Sequence, residues 1–239
     1  LIHLHHDHIC DFPLFAISGW MYDRPTAPIV LGPKGTKHFC DHLFEGGAYD
    51  SDFRARSDYP RRQANLAAVR PDVREVSPGI AFEDDNVRIH CDFVEHIPRE
   101  ISECFGIRME AEGKVIAFSG DTAPCDSMVK LAKDADILFH ECTFPESFIE
   151  FRSKSGTGTH AHTPPTALGE IAVKAGVKSL VATHFGHFES TNKVLQSAAE
   201  HHMPVEEMGP HVMDEVVEDI RRNYKGPLQM AYDLLRIDL

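Results

Sequence analysis

Within its first eight residues, Leu1-Ile2-His3-Leu4-His5-His6-Asp7-His8, the chain sets imidazoles and a carboxylate in an H-x-H-x-D-H spacing. Neutral imidazole nitrogen and carboxylate oxygen are the donors that zinc and similar first-row metals accept. An aliphatic lead-in that ends in imidazoles reads as a strand delivering ligands at its tip, with His3 and His5 on one face. Asp7 and His8 then need a turn or a helix start to aim at the same place. A purification tag would be a run of histidines without a fixed aspartate or an aliphatic lead-in. Further along, His96, Asp121, His140-Glu141 and His184 also stand at the ends of segments that read as strands. Strand ends of a packed sheet converge on one edge, where α/β proteins build their sites. Together these residues point to a metal site rather than to polar groups satisfied inside a core.

The elements that must hold them can be read in order. Residues 12–30 mix aromatic and turn residues, and Trp20 there reads first as core or rim packing and second as a substrate contact. Ile29-Val30-Leu31-Gly32-Pro33 predicts a short buried strand stopped by Gly-Pro. A helix is expected from 35 to 44, broken by Gly46-Gly47. Residues 50–70 read as loop then helix, and 73–78 and 86–94 as strands. The second alternates Val87, Ile89, Cys91 and Phe93 against Arg88, His90 and Asp92. A hairpin turns at Glu112-Gly113, and its second strand runs into Ser119-Gly120-Asp121-Thr122. A short helix is expected over 126–134, a buried strand over 136–139, and a flexible stretch over 153–159. Thr163 is a good helix N-cap with Pro164 at the first helical position, and Gly176 closes that helix. Residues 179–183 predict a strand, 211–223 a helix and 228–238 a final strand.

The chain has 239 residues, of which 42% are hydrophobic and 26% charged, within the range of one soluble α/β domain. No apolar run approaches the roughly 18 residues of a membrane span, and no signal peptide opens the chain. Six cysteines without a C-x-x-C pair fit reduced thiols in a cytoplasm. The net charge of −13 argues against a broad basic surface for nucleic acid. Arg54, Arg56, Arg61, Arg62 and Arg70 form the one dense arginine patch. It reads first as a solvated loop and helix face, and second as a contact for an anionic substrate or partner.

The opening motif resembles the hallmark of the metallo-β-lactamase superfamily. The resemblance implies an α/β fold, an αβ/βα sandwich of two mixed sheets flanked by helices, with two metals at the seam between the sheets. One metal would take His3, His5 and His96, the other Asp7, His8 and His184, with Asp121 bridging. A carboxylate shared by two dications neutralises charge and sets their spacing at roughly 3.5–4 Å. His90 is a rival to His96, but it lies mid-strand. Family members usually carry further strands before this motif, so the chain is expected to be a fragment of a longer reading frame. The whole of 1–239 is read as a single hydrolase domain.

Two more motifs narrow the branch. His140-Glu141-Cys142-Thr143-Phe144 resembles the His-Glu-Ala-Thr motif of the tRNase Z and arylsulfatase-like branch, and His162-Thr163 its His-Ser-Thr motif. In that branch the histidine, oriented by the glutamate, gives a proton to the leaving oxygen. The resemblance therefore assigns His162 and Glu141 to catalysis, and Asp7 to orienting the attacking hydroxide as well as binding metal. His160 competes for the donor role, though the 22-residue spacing from His162 to His184 favours His162. His140 reads as a residue that supports the site by hydrogen bonding. One departure is large: a tight hairpin fills residues 106–118, where bacterial tRNase Z enzymes carry a long tRNA-gripping arm.

These readings imply a binuclear hydrolase with two Zn2+, or Mn2+ or Fe2+, using a metal-bridging hydroxide on phosphodiesters or sulfate esters. The alternative on the same site is a β-lactam or lactone hydrolase. A di-iron redox protein and a metal-binding module without turnover are further readings. The expected partner is a small or short anionic ester, with neither a membrane nor dedicated tRNA binding, and a homodimer is open.

Overall fold

The computed structural model describes residues 1–63, 65–156 and 159–238. The chain divides into two compact units, residues 1–77 with 99–103, and residues 78–98 with 104–239.

The regular structure of the first unit is mainly helical. The helices are α1 (His6–Ile9), α2 (Phe12–Met21), α3 (Thr36–Phe44), α4 (Asp50–Ser57) and α5 (Pro60–Gln63). Two parallel strands, β1 (Ile29–Gly32) and β2 (Asp72–Glu75), pair in register from Ile29 with Asp72 to Gly32 with Glu75. α2 corrects the expectation of a turn-rich segment. Pro13 sits in the first turn, where a missing N–H costs nothing, and Ala16 and Trp20 lie four apart on the buried face. Trp20 is fully buried, donates its indole N–H to Asn65 Oδ1 at 3.1 Å and meets Phe53 edge-on. It is core, not a substrate contact. Residues 1–5 form no strand, although the Leu1 amine donates to Leu31 O of β1 at 2.7 Å. The stretch 50–70 opens with helix, not loop.

The arginine patch belongs to this unit and is internally neutralised. Arg54 pairs with Asp50 at 3.4 Å, Arg56 with Asp52 at 2.9 Å and Arg70 with Glu45 at 3.1 Å, and Arg61 pairs with Asp23. Arg62 is buried, lies over the Trp20 ring and donates to Trp20 O and Met21 O.

The second unit is built on one seven-stranded sheet in sequence order. Its strands are β3 (Gly79–Glu83), β4 (Val87–Phe93), β5 (Phe105–Ala111), β6 (Lys114–Phe118), β7 (Ile137–Glu141), β8 (Leu180–Thr183) and β9 (Leu228–Met230). β3 to β6 pair antiparallel, and β6 to β9 pair parallel. β4 and β6 therefore run in the same direction as β7 and β8, so four strands deliver their C-terminal ends to one edge. The β5–β6 hairpin closes through Glu112 and Gly113, both at positive φ, as expected for a two-residue turn. Nothing else fills the interval to Ser119.

Helices α6 (Asp126–Leu131), α7 (Ile149–Lys154), α8 (Pro165–Ala175), α9 (Lys193–Ala199) and α10 (His211–Asn223) complete the unit. Leu168, Ile171, Ala172 and Ala175 bury one face of α8, and Val212, Val216 and Ile220 bury one face of α10. Each buried leucine, isoleucine or valine among them contributes on the order of 1.5–3 kcal/mol. The two helices meet closely at Gly169, where a Cβ would lie 2.6 Å from Ile220 O.

Thr163 does not cap α8. Its hydroxyl donates to Thr122 O at 2.7 Å, and Pro164, preceding another proline, is extended at φ −74°, ψ 160°. The helix consequently starts one residue later than expected, at Pro165. The final strand stops at Met230, well short of residue 238, and Leu234 has a φ of 65° that ends any extended run. The expected flexible stretch is helical up to Lys154, and residues 157 and 158 of it lie outside the described residues. β3, α7 and α9 went unforeseen. Burial pushes the Cys40 and Cys104 thiols up to about 11. No helix among those residues is long and apolar enough to cross a membrane.

Candidate metal centre

In the first unit the opening motif forms an imidazole cluster. The His3 ring packs against His5 at 4.7 Å and His8 at 4.1 Å between centroids, and His3 is only 1% exposed. His5 is extended and stands at the N-terminus of α1, so the chain turns from extended to helical between the second and third donors. That helix start, expected from the sequence, brings Asp7 Oδ2 to 3.4 Å from His8 Nε2. His6, the motif's variable position, is 97% exposed in its side chain.

In the second unit the remaining candidates gather at the common strand edge. His96 follows β4, Asp121 follows β6, Glu141 ends β7 and His184 follows β8. His96 Nδ1 lies 2.8 Å from Ala161 O, and a carbonyl only accepts, so Nδ1 carries the proton and Nε2 the lone pair. That Nε2 is 3.8 Å from Asp121 Oδ2. His184 Nδ1 lies 2.9 Å from Thr143 Oγ1, and its Nε2 is 3.4 Å from Asp121 Oδ1. Two imidazoles thus turn their Nε2 atoms toward one carboxylate that is 3% exposed. This is the donor set and the outer support that a first-row divalent ion uses, so the residues fit such an ion. His184 adopts φ 62°, a left-handed conformation that a side chain makes costly by roughly 1–3 kcal/mol and that concentrates at functional sites.

Glu141 organises the other half. Its Oε1 accepts from Thr122 N at 2.8 Å and from His162 Nδ1 at 2.9 Å, and its Oε2 accepts from Thr143 Oγ1 at 2.7 Å. Burial pushes the His162 pKa down, but the hydrogen bond and charge of Glu141, helped by Asp121, leave it raised above the ordinary histidine value. The His162 ring lies 5.8 Å from that of His184 with an interplanar angle of 22°. Asp121, His162 and His184 each offer a ligand-capable atom within 4.8 Å of the others. His160 is exposed, which leaves the glutamate to His162. His90 pairs within the sheet opposite Arg108. His140 is wholly buried beside its neighbour's carbonyl at 2.9 Å, and burial lowers its pKa, so it is a neutral core residue.

The loops carrying these groups are tied to one another. Glu95 N donates to Thr122 Oγ1 at 3.1 Å, Glu141 N donates to Ser119 Oγ at 3.0 Å, and the Thr163 hydroxyl reaches Thr122 O. Sequence reasoning missed Thr143 and the Ala161 carbonyl. Thr143 lies inside a motif that the sequence displayed, whereas a backbone carbonyl leaves no signal in residue type.

A family profile described as the beta-lactamase superfamily domain matches residues 1–185. The chain belongs to that superfamily. It is 30% identical over 192 residues to a putative ribonuclease Z of Mycobacterium tuberculosis (strain CDC 1551 / Oshkosh), a match covering 77% of this chain and 82% of that protein, and 30% identical over the same length to ribonuclease Z of Mycobacterium bovis (strain BCG / Pasteur 1173P2), of which it covers 65%. The metallo-beta-lactamase fold protein YhfI from Bacillus subtilis aligns with a TM-score of 0.61 at 20% identity, over 97% of this chain and 73% of that one. Human tRNase Z, short form, aligns with a TM-score of 0.54 at 22% identity, over 77% and 71%. The two structures show the metallo-β-lactamase fold, and the relatives place the chain in the ribonuclease Z-like branch of the superfamily. The expected fold class and family therefore hold.

Proposed function

We propose that this chain is a two-metal, zinc-dependent phosphodiesterase, with residues 1–239 as a single hydrolase domain. His3, His5 and His96 would hold one ion, Asp7, His8 and His184 the other, and Asp121 would bridge them. Two such ions, when bound, supply an activated water and neutralise negative charge on the substrate. The observation that carries the reading is the 2.9 Å contact between His162 Nδ1 and Glu141 Oε1, beside the His184–Asp121 pair.

With Nδ1 held by the carboxylate, the titrating proton of His162 sits on Nε2. The raised pKa favours the protonated form that a general acid needs. His162 then passes it to the leaving oxygen, and Glu141 stabilises the imidazolium beforehand and keeps the ring oriented afterwards. An alkoxide leaving from a phosphodiester needs such a donor. Asp7 and Asp121 orient the attacking water through their carboxylates. The tight β5–β6 hairpin and the charge of −13 favour small or short anionic esters over structured tRNA.

The test is hydrolysis of bis(p-nitrophenyl) phosphate by zinc-replete protein, beside p-nitrophenyl sulfate, a lactone and a chromogenic cephalosporin, each with a chelated control. Chelator-sensitive turnover of the diester above the others is expected. Turnover of the cephalosporin or lactone alone would overturn the phosphodiesterase reading.

A further inference from the structure

One hydroxyl joins the proton-donor pair to a candidate metal ligand. Thr143 Oγ1 lies 2.7 Å from Glu141 Oε2, 2.9 Å from His184 Nδ1 and 3.1 Å from His162 Nδ1. A hydroxyl has one proton to give and two lone pairs to offer. An ionised carboxylate only accepts, so the proton of Thr143 goes to Glu141. The hydroxyl oxygen is then left facing N–H donors. His162 Nδ1–H has a charged acceptor in Glu141 Oε1 at 2.9 Å, the stronger partner of the two within its reach. His184 Nδ1–H accordingly donates to Thr143.

We propose that Thr143 is a positioning residue that fixes His184 as its Nδ1–H tautomer, aims its Nε2 at Asp121, and binds that orientation to the Glu141–His162 pair. The ligand would then be made more basic by a carboxylate two hydrogen bonds away, and the same carboxylate would serve the proton donor. The inference rests on reading His184 as a metal ligand. His96 supplies an internal comparison, because its Nδ1 is held by the backbone carbonyl of Ala161, which no side-chain change at 143 removes.

The experiment compares Thr143→Val, Thr143→Ala and Thr143→Ser with the parent by two readouts. The first is the long-range 1H–15N correlation spectrum of the histidine rings in metal-free protein. His184 is expected as the Nδ1–H tautomer in the parent and in Thr143→Ser, and as a mixture in Thr143→Val, with His96 unchanged throughout. The second is zinc affinity by competition with a chromophoric chelator. Loss of the hydroxyl should weaken it about 10–100-fold, the usual effect of removing an outer hydrogen bond to a ligand, and serine should restore it. If Thr143→Val fails to fold, Thr143→Ala deletes the same hydroxyl with less apolar volume. An unchanged His184 tautomer and unchanged affinity in the hydroxyl-free variants would overturn the proposal, as would a serine variant that behaves like valine. A parent that hydrolyses no diester would sink the functional reading instead, and the metal-free spectra would still decide the role of Thr143.

Discussion

In the proposed mechanism, Glu141 is the group that equips His162 to act as an acid. Burial alone would lower the imidazole pKa, and the carboxylate at 2.9 Å reverses that sign. Replacing Glu141 by Gln removes the charge and leaves the burial. The alkaline limb of the kcat profile, where His162 loses its Nε2 proton, should therefore move to lower pH. An unmoved limb would contradict the assignment. His162→Ala should lower kcat by about 10²–10⁴ on a diester with an alkyl leaving group, and far less with p-nitrophenolate, which leaves without a proton. The pair also links to stability: its contribution is complete below the unfolded histidine pKa and is lost as pH rises through the raised folded value. At this scale most of the site was legible, because imidazoles and carboxylates at strand ends announce themselves by type and spacing. Thr143 was not, because a threonine acquires its meaning only from the three groups around its oxygen.

The elements explain why those residues converge. β4, β6, β7 and β8 run in one direction, so the residues that follow them share an edge. Long periodic segments such as α10 and the β5–β6 hairpin were readable to within a few residues, because one buried face repeats at a fixed interval. α2 was hidden by a proline and by aromatics that resemble a turn-rich loop, and only its packing shows Ala16 and Trp20 as one face. The start of α8 moved because the Thr163 hydroxyl bonds to Thr122 O, a tertiary partner that no local rule supplies. α8 also packs against α10 at Gly169, where no side chain fits. Gly169→Ala should cost about 1–3 kcal/mol by forcing the helices apart, read as a lower urea midpoint with unchanged m. An unaltered midpoint would contradict that close approach.

Across the whole molecule, charge and composition exclude more than they assign. A net charge of −13, and an arginine patch whose exposed members pair with neighbouring acids, leave no broad basic face among the described residues. The superfamily was legible from one motif of six residues, His3 to His8, whereas the preferred ester lies beyond what residue types encode. The most direct measurement is the zinc stoichiometry of the intact chain by native mass spectrometry after equilibration with zinc. Two ions per chain are expected, with fewer than two in both His5→Ala and His184→Ala. A single ion in the parent, or two retained in both variants, would contradict the two-metal centre.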